Sequence, residues 1–229
     1  MAASVDVDLH RVPGHVAIVG GGIDEPSLAD VVDGALDIGL RWLTVEVLPS
    51  EWWGDPLAVS QRAFADAERL VVARRDELHA RGVRIRGLGR RDARVPQRLC
   101  RALAETEALT ASNHGMTLTV AVDHDGRVEL AEAMAELAAE VRDGRRRASS
   151  IDEDALAAHL TAPDLPDPDL IVRTGNDTRT ASFLVWQSAY SELVFTDARW
   201  PDFRRDDLFA AVAEYQRRER RFGAVEPLN

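Results

Sequence analysis

The stretch His15–Val32, HVAIVGGGIDEPSLADVV, joins an apolar run to three glycines and then to a segment with apolar residues at helical spacing. A buried strand that turns tightly into a helix start reads this way, and it is the opening unit of an α/β fold. Glycines at such a turn let the backbone approach a phosphate at the helix N-terminus, so a dinucleotide site is one reading. Glu46, at the end of the next apolar run, stands where a ribose-binding acid would fall. The spacing argues against that reading: G-x-G-x-x-G requires a third glycine where Glu25 stands, with Pro26 behind it. An acidic side chain there repels a pyrophosphate. A plain turn under a helix start is the alternative.

Working outward, HVAIV, WLTVEVL, VRIRGLG, MTLTVAV, LIVRTG and LVFT alternate with segments of helical spacing. That alternation predicts a mostly parallel central sheet flanked by helices. Helices are expected over about Leu57–Arg81, ending at Gly82, then over Pro96–Ala111 and Val128–Val141. A short one follows over Asp152–Leu160, capped by Ser150 or Asp152, and a last one over Arg204–Arg220. In such sheets ligands bind beyond the carboxyl ends of the strands, so the loops after HVAIV, WLTVEVL, MTLTVAV and LIVRTG should share the edge that carries a site. Residues 1–14 read as an N-terminal extension and 15–229 as a single domain.

Composition narrows the chemistry. The 229 residues are 45% hydrophobic, enough for one sizeable core, and carry a net charge of -11, which argues against broad nucleic-acid binding. Every basic residue is arginine. With no lysine there is neither a Walker-type phosphate ligand nor a Schiff base, and an anion would be held by guanidinium groups and backbone N–H donors. Cys100 is the single cysteine, so no internal disulfide or cysteine-based zinc cluster is expected. The polar, acidic start lacks a signal-peptide pattern, and no apolar run reaches membrane-spanning length. A cytoplasmic protein is expected, with peripheral membrane contact left open.

Functional side chains are densest in DLIVRTGNDTRTASFLVWQSAYSELVFTDARWPDF, Asp169–Phe203. Arg173 leaves a buried strand into the turn at Gly175, and Arg179 follows six positions later. Two guanidinium groups aimed at one space, beside Thr174 and backbone N–H groups, suit a diphosphate. Glu192, just before the next strand, is a candidate Mg²⁺ ligand. The competing reading makes both arginines structural partners of Asp177, Glu192 or Asp197.

This stretch, with the terminal RRERRFGAVEP, VRIRGLG and LTASNHGMTLTVAVDHDGR, resembles the cis-prenyltransferases, the undecaprenyl diphosphate synthase family of isoprenyl transferases, from about His15 to the end. The resemblance implies a hydrophobic tunnel between helices and sheet, a homodimer or heterodimer, and Mg²⁺-assisted condensation of isopentenyl diphosphate with an allylic diphosphate. It implies that Arg173 and Arg179 bind diphosphate, that Glu192 holds the metal, and that Arg221 and Gly223 complete a neighbouring subunit's site.

Three departures qualify this. The family's loop after the first strand reads like MDGNxRW, where an aspartate positions Mg²⁺ and the allylic diphosphate; here GGGID puts Gly21 in its place, and the following segment is shortened. Trp52 stands where the family has an asparagine, and Ala181 where it has a serine, with Ser182 one position late. Asp24 is a weak candidate for substitute metal ligand. Three readings follow: a catalytically incomplete subunit paired with a complete homologue, an autonomous altered prenyltransferase making a short or irregular isoprenoid, and a non-enzymatic protein that binds isoprenyl diphosphate or lipid. Phe183, Trp186, Tyr190 and Phe195 are candidates for an interface core or for the chain's own core.

Overall fold

The computed structural model describes residues 7–49, 57–90, 95–179 and 181–218. Its strands are β1 (His15–Val19), β2 (Trp42–Pro49), β3 (Arg84–Leu88), β4 (Thr117–His124), β5 (Leu170–Arg173) and β6 (Glu192–Phe195). All six expected runs are strands. They form one sheet in the order β3-β4-β2-β1-β5-β6, and every neighbouring pair is parallel. Between β1 and β5 the connections diverge: β1 leads through α1 to β2 on one side, and β5 leads to β6 on the other. Such a switch point opens a crevice at the carboxyl edge of the sheet.

The helices are α1 (Glu25–Asp37), α2 (Leu57–Ala73), α3 (Arg75–Ala80), α4 (Gln97–Thr110), α5 (Gly126–Arg142), α6 (Glu153–Ala157) and α7 (Arg205–Arg217). The helix expected over Leu57–Arg81 is broken in two. Arg74 leaves helical geometry at φ -107°, ψ 3°, and its guanidinium bonds Asp33 and the Ala29 carbonyl of α1 as well as Glu77. Of the two candidate caps for α6, Asp152 serves, accepting from the Ala155 N–H at 2.9 Å.

One face of the sheet presents Val16, Ile18, Leu43, Val45, Leu118, Val120, Leu170 and Val172 to apolar side chains of α1, α2, α4 and α7, forming the main core. The opposite face carries a smaller cluster of Ala17, Val19, Ala121 and Ile171, closed by Ala162, Leu165, Phe183 and Leu184. Where the resemblance implies a tunnel, between helices and sheet, Phe64, Ala67, Leu70 and Val71 of α2 are packed into the main core. Of the four aromatic candidates, Phe183 fills the chain's own core, whereas Tyr190 and Phe195 stay 77% and 44% exposed.

At the amino edge, His15 is buried beneath the Pro166 carbonyl (2.7 Å from Nδ1) and the Thr44 hydroxyl (2.8 Å from Nε2). A carbonyl only accepts, so Nδ1 carries the proton and Nε2 accepts from Thr44. Burial holds this imidazole neutral, with its pKa lowered to about 4.

Candidate diphosphate site

The crevice at the β1/β5 switch point is a cavity of about 510 Å³, lined by Gly21, Pro49, Arg173, Thr174, Gly175, Asp177, Arg179, Ala181 and Arg199. Three of the four loops expected at this edge contribute: Gly21 follows β1, Pro49 ends β2, and Thr174, Gly175, Asp177, Arg179 and Ala181 follow β5, which ends at Arg173. The loop after β4 is used differently. On either side of it, His124 at the end of β4 and Glu129 in the first turn of α5 are buried 3.7 Å apart, and the His124 ring meets Phe183 edge-on, with ring centroids 5.5 Å apart.

The chain fits together tightly beneath the cavity. Thr174 donates its N–H and its hydroxyl to the Val19 carbonyl, at 3.0 and 3.3 Å. The Gly175 N–H reaches the Ala198 carbonyl at 2.9 Å, and the Asn176 N–H reaches Thr196 at 3.1 Å. The backbone donors expected to face an anion at Thr174 and Gly175 are therefore spent on neighbouring strand ends. Gly20 is required by this arrangement, because a Cβ at that position would run into the Thr174 side chain.

The guanidinium groups come together as expected. Arg173 Nη2 donates to Asp177 Oδ2 at 2.8 Å; Arg179 donates from Nε to Oδ1 at 3.2 Å and from Nη2 to Oδ2 at 3.4 Å. Arg179 and Arg173 together hold the Asp177 carboxyl far below the usual carboxylate range. The competing structural reading thus holds for Asp177, which pairs with both. It does not exhaust Arg173, whose buried Nε has no hydrogen-bond partner. A buried donor left unpaired is costly.

The candidate metal ligands are elsewhere. Glu192 is in register with Leu170, at the amino end of β5, whereas Arg173 is in register with Phe195. Its carboxylate accepts from Arg218 Nη1 at 3.0 Å, so a single chain does not bring Glu192 into the cavity. Asp24 is the N-cap of α1, accepting from the Ser27 N–H at 3.0 Å and the Ser27 hydroxyl at 2.6 Å. The glycine run is therefore the plain turn under a helix start, with Asp24 as its cap. Among the described residues no group of three or more His, Cys, Asp or Glu is placed to hold a metal ion. Mg²⁺ favours oxygen ligands with carboxylates among them, and the one carboxylate lining the cavity is already shared by two arginines. The described residues do not fit the implied ion. Trp52, Arg221 and Gly223 lie outside the described residues.

Arg199 is a cavity residue that sequence reasoning missed. The available signal was positional: it follows β6, the strand beside β5, and so emerges at the same edge as Arg173.

The chain is an α/β fold whose parallel sheet opens onto an arginine-lined cavity at its switch point, the place where such sheets bind ligands. Residues 14–223 match the prenyltransferase family described as "Putative undecaprenyl diphosphate synthase". The chain is 44% identical over 199 residues to isoprenyl transferase 2 of Bradyrhizobium diazoefficiens, covering 87% of this chain and 79% of that protein. It is 40% identical to the trans,polycis-polyprenyl diphosphate synthase of Thermobifida fusca, covering 96% and 75% respectively. In structure it resembles lavandulyl diphosphate synthase from Lavandula x intermedia, solved with dimethylallyl diphosphate, with a TM-score of 0.87, 27% identity, and coverage of 94% of this chain and 100% of that one. The chain belongs to the cis-prenyltransferase family.

Proposed function

We propose that this chain is a cis-prenyltransferase-family subunit of polyprenyl diphosphate synthesis. It binds the diphosphate of isopentenyl diphosphate, or of another isoprenyl diphosphate, and works with a complete homologue that supplies the ionising half of the reaction. The observation that carries this reading is the composition of the cavity wall. Arg173 and Arg179 converge on it with the Arg173 Nε unpaired, while Gly21 brings no side chain to it. The arginine side suits recognition of a diphosphate. The glycine side leaves a departing allylic diphosphate without the carboxylate-held metal that would offset its charge, and such a contact is worth on the order of 3 kcal/mol to a transition state. In the paired enzyme the Mg²⁺ belongs to the complete partner's site, and Arg221 and Gly223 of this chain's tail serve that site.

A second reading has its own support. The relatives at 44% and 40% identity are named as transferases or synthases, and the protein with a TM-score of 0.87 is named lavandulyl diphosphate synthase. On that reading the chain acts alone and makes a short or irregular isoprenyl diphosphate. One experiment separates the two: turnover of labelled isopentenyl diphosphate with allylic primers by the purified chain, alone and with a complete family member. The subunit reading expects turnover only in the mixture, with a rate above that of the partner alone. Turnover by the chain alone supports the second reading, and binding without any effect on a partner reduces the protein to an isoprenyl diphosphate carrier.

A further inference from the structure

The cavity contains a guanidinium group that neither its ion pairs nor the two-arginine reading uses. Arg173 and Arg179 both bond Asp177, so each meets an incoming anion with part of its charge already offset. Arg199 lines the same cavity, is exposed, and has no ion pair or side-chain hydrogen bond among the described residues. Its position is fixed by backbone rather than by a partner carboxylate. The Gly175 N–H bonds the Ala198 carbonyl next to it, and the Arg199 carbonyl accepts from the Asp202 and Phe203 N–H groups, each at 2.8 Å. Its side chain lies over Gly175: a Cβ there would be 3.9 Å from Arg199 Cγ. Trp200 and Phe203, fully buried and stacked edge to face, anchor the segment that carries it.

We infer that Arg199 is a third diphosphate ligand, which makes the cavity selective for a diphosphate over a single phosphate. This rests on the proposal that the cavity binds a diphosphate. Three guanidinium groups against one carboxylate leave the cavity two formal positive charges, matched to an anion with two charged phosphoryl groups. A guanidinium on the segment after the neighbouring strand gives the second phosphoryl group its own donor fork, which two arginines sharing one aspartate do not provide. With Gly21 supplying no metal-binding carboxylate, Arg199 provides positive charge at the same cavity from the protein itself.

The test is calorimetric titration of the full chain with inorganic pyrophosphate and, separately, orthophosphate, in wild type and in Arg199→Ala, Arg199→Lys and Arg173→Ala. Loss of one charge-assisted contact lowers pyrophosphate affinity about tenfold in Arg199→Ala. Orthophosphate affinity changes much less, so the preference between the two anions narrows, and Arg199→Lys recovers part of the loss. The thermal midpoint of Arg199→Ala stays at the wild-type value, because an exposed side chain with no internal partner is removed. If Arg199→Ala binds pyrophosphate as wild type does while Arg173→Ala does not, Arg199 is no ligand and the two-arginine site stands. If wild type binds no pyrophosphate, the diphosphate reading falls and this inference with it.

Discussion

Arg173 and Asp177, four positions apart, are joined Nη2 to Oδ2 at 2.8 Å, and the same carboxylate accepts from Arg179 Nε and Nη2. Asp177 thus sits between two guanidinium groups as an internal anion. The turn between them uses left-handed backbone at Gly175 (φ 85°) and Asn176 (φ 59°), residue types that tolerate that region well. An incoming diphosphate competes with a carboxylate already in place. Replacing Asp177 with Asn removes the competitor and keeps an acceptor of the same shape. Because the pair is partly solvent-exposed, the gain is small: pyrophosphate affinity rises about threefold by titration. A fall in affinity would show instead that Asp177 orients the arginines and is needed in place.

Gly20 and Thr174 are packed so closely that a methyl group has no room between them. Gly20→Ala is expected to lower stability by about 1–3 kcal/mol, read as the denaturant midpoint. Thr174→Ala in the same chain opens the space and recovers a good part of that loss. If the double variant is no more stable than Gly20→Ala, the backbone conformation at Gly20 is the cause, not the Thr174 side chain.

His15 gives the fold a window of acid sensitivity. Its folded pKa of about 4 lies below the ordinary value of 6.5, so between those values the unfolded chain binds the proton that the folded chain refuses. Stability from this group is fully present above pH 6.5 and is lost as pH falls towards 4, by at most about 3 kcal/mol. His15→Gln should flatten the stability profile between pH 6.5 and 4.5 relative to wild type. Carboxylates held low by arginines, Asp33 and Asp177 among them, act at lower pH and leave that difference unchanged.

Gly21 faces the arginine cavity without a side chain, so wild-type pyrophosphate binding is expected to persist in EDTA. Gly21→Asp adds a carboxylate and should make binding respond to Mg²⁺. Turnover should rise modestly at most, because Asp24 is committed to the α1 cap and one added carboxylate does not make a group of metal ligands among the described residues. Family-level turnover from this single change would mean that one carboxylate completes the site.

Much of the fold was legible in period and punctuation. Strands buried on both faces read as apolar runs, and Asp152 caps the helix that follows it. The break at Arg74 was not legible, because its cause is a side chain reaching Asp33, 41 residues away. Glu192 shows the same limit. A place just before the next strand makes it a candidate ligand in the sequence, but strand register puts it and Arg173 at different ends of the β5–β6 pair.

By itself the sequence determined a parallel α/β sheet and the carboxyl edge at which Arg173 and Arg179 come together. Those features depend on local periodicity, on turn chemistry and on the identity of single residues, all of which are written along the chain. Only the tertiary structure decided that Asp177 bridges both arginines, that Asp24 is committed to a helix cap, and that Arg199 shares their cavity. Which charges face one another depends on strand order and register. Those are set by burial of apolar faces distant in sequence, so the charge balance of the site exists only once the sheet has closed around it.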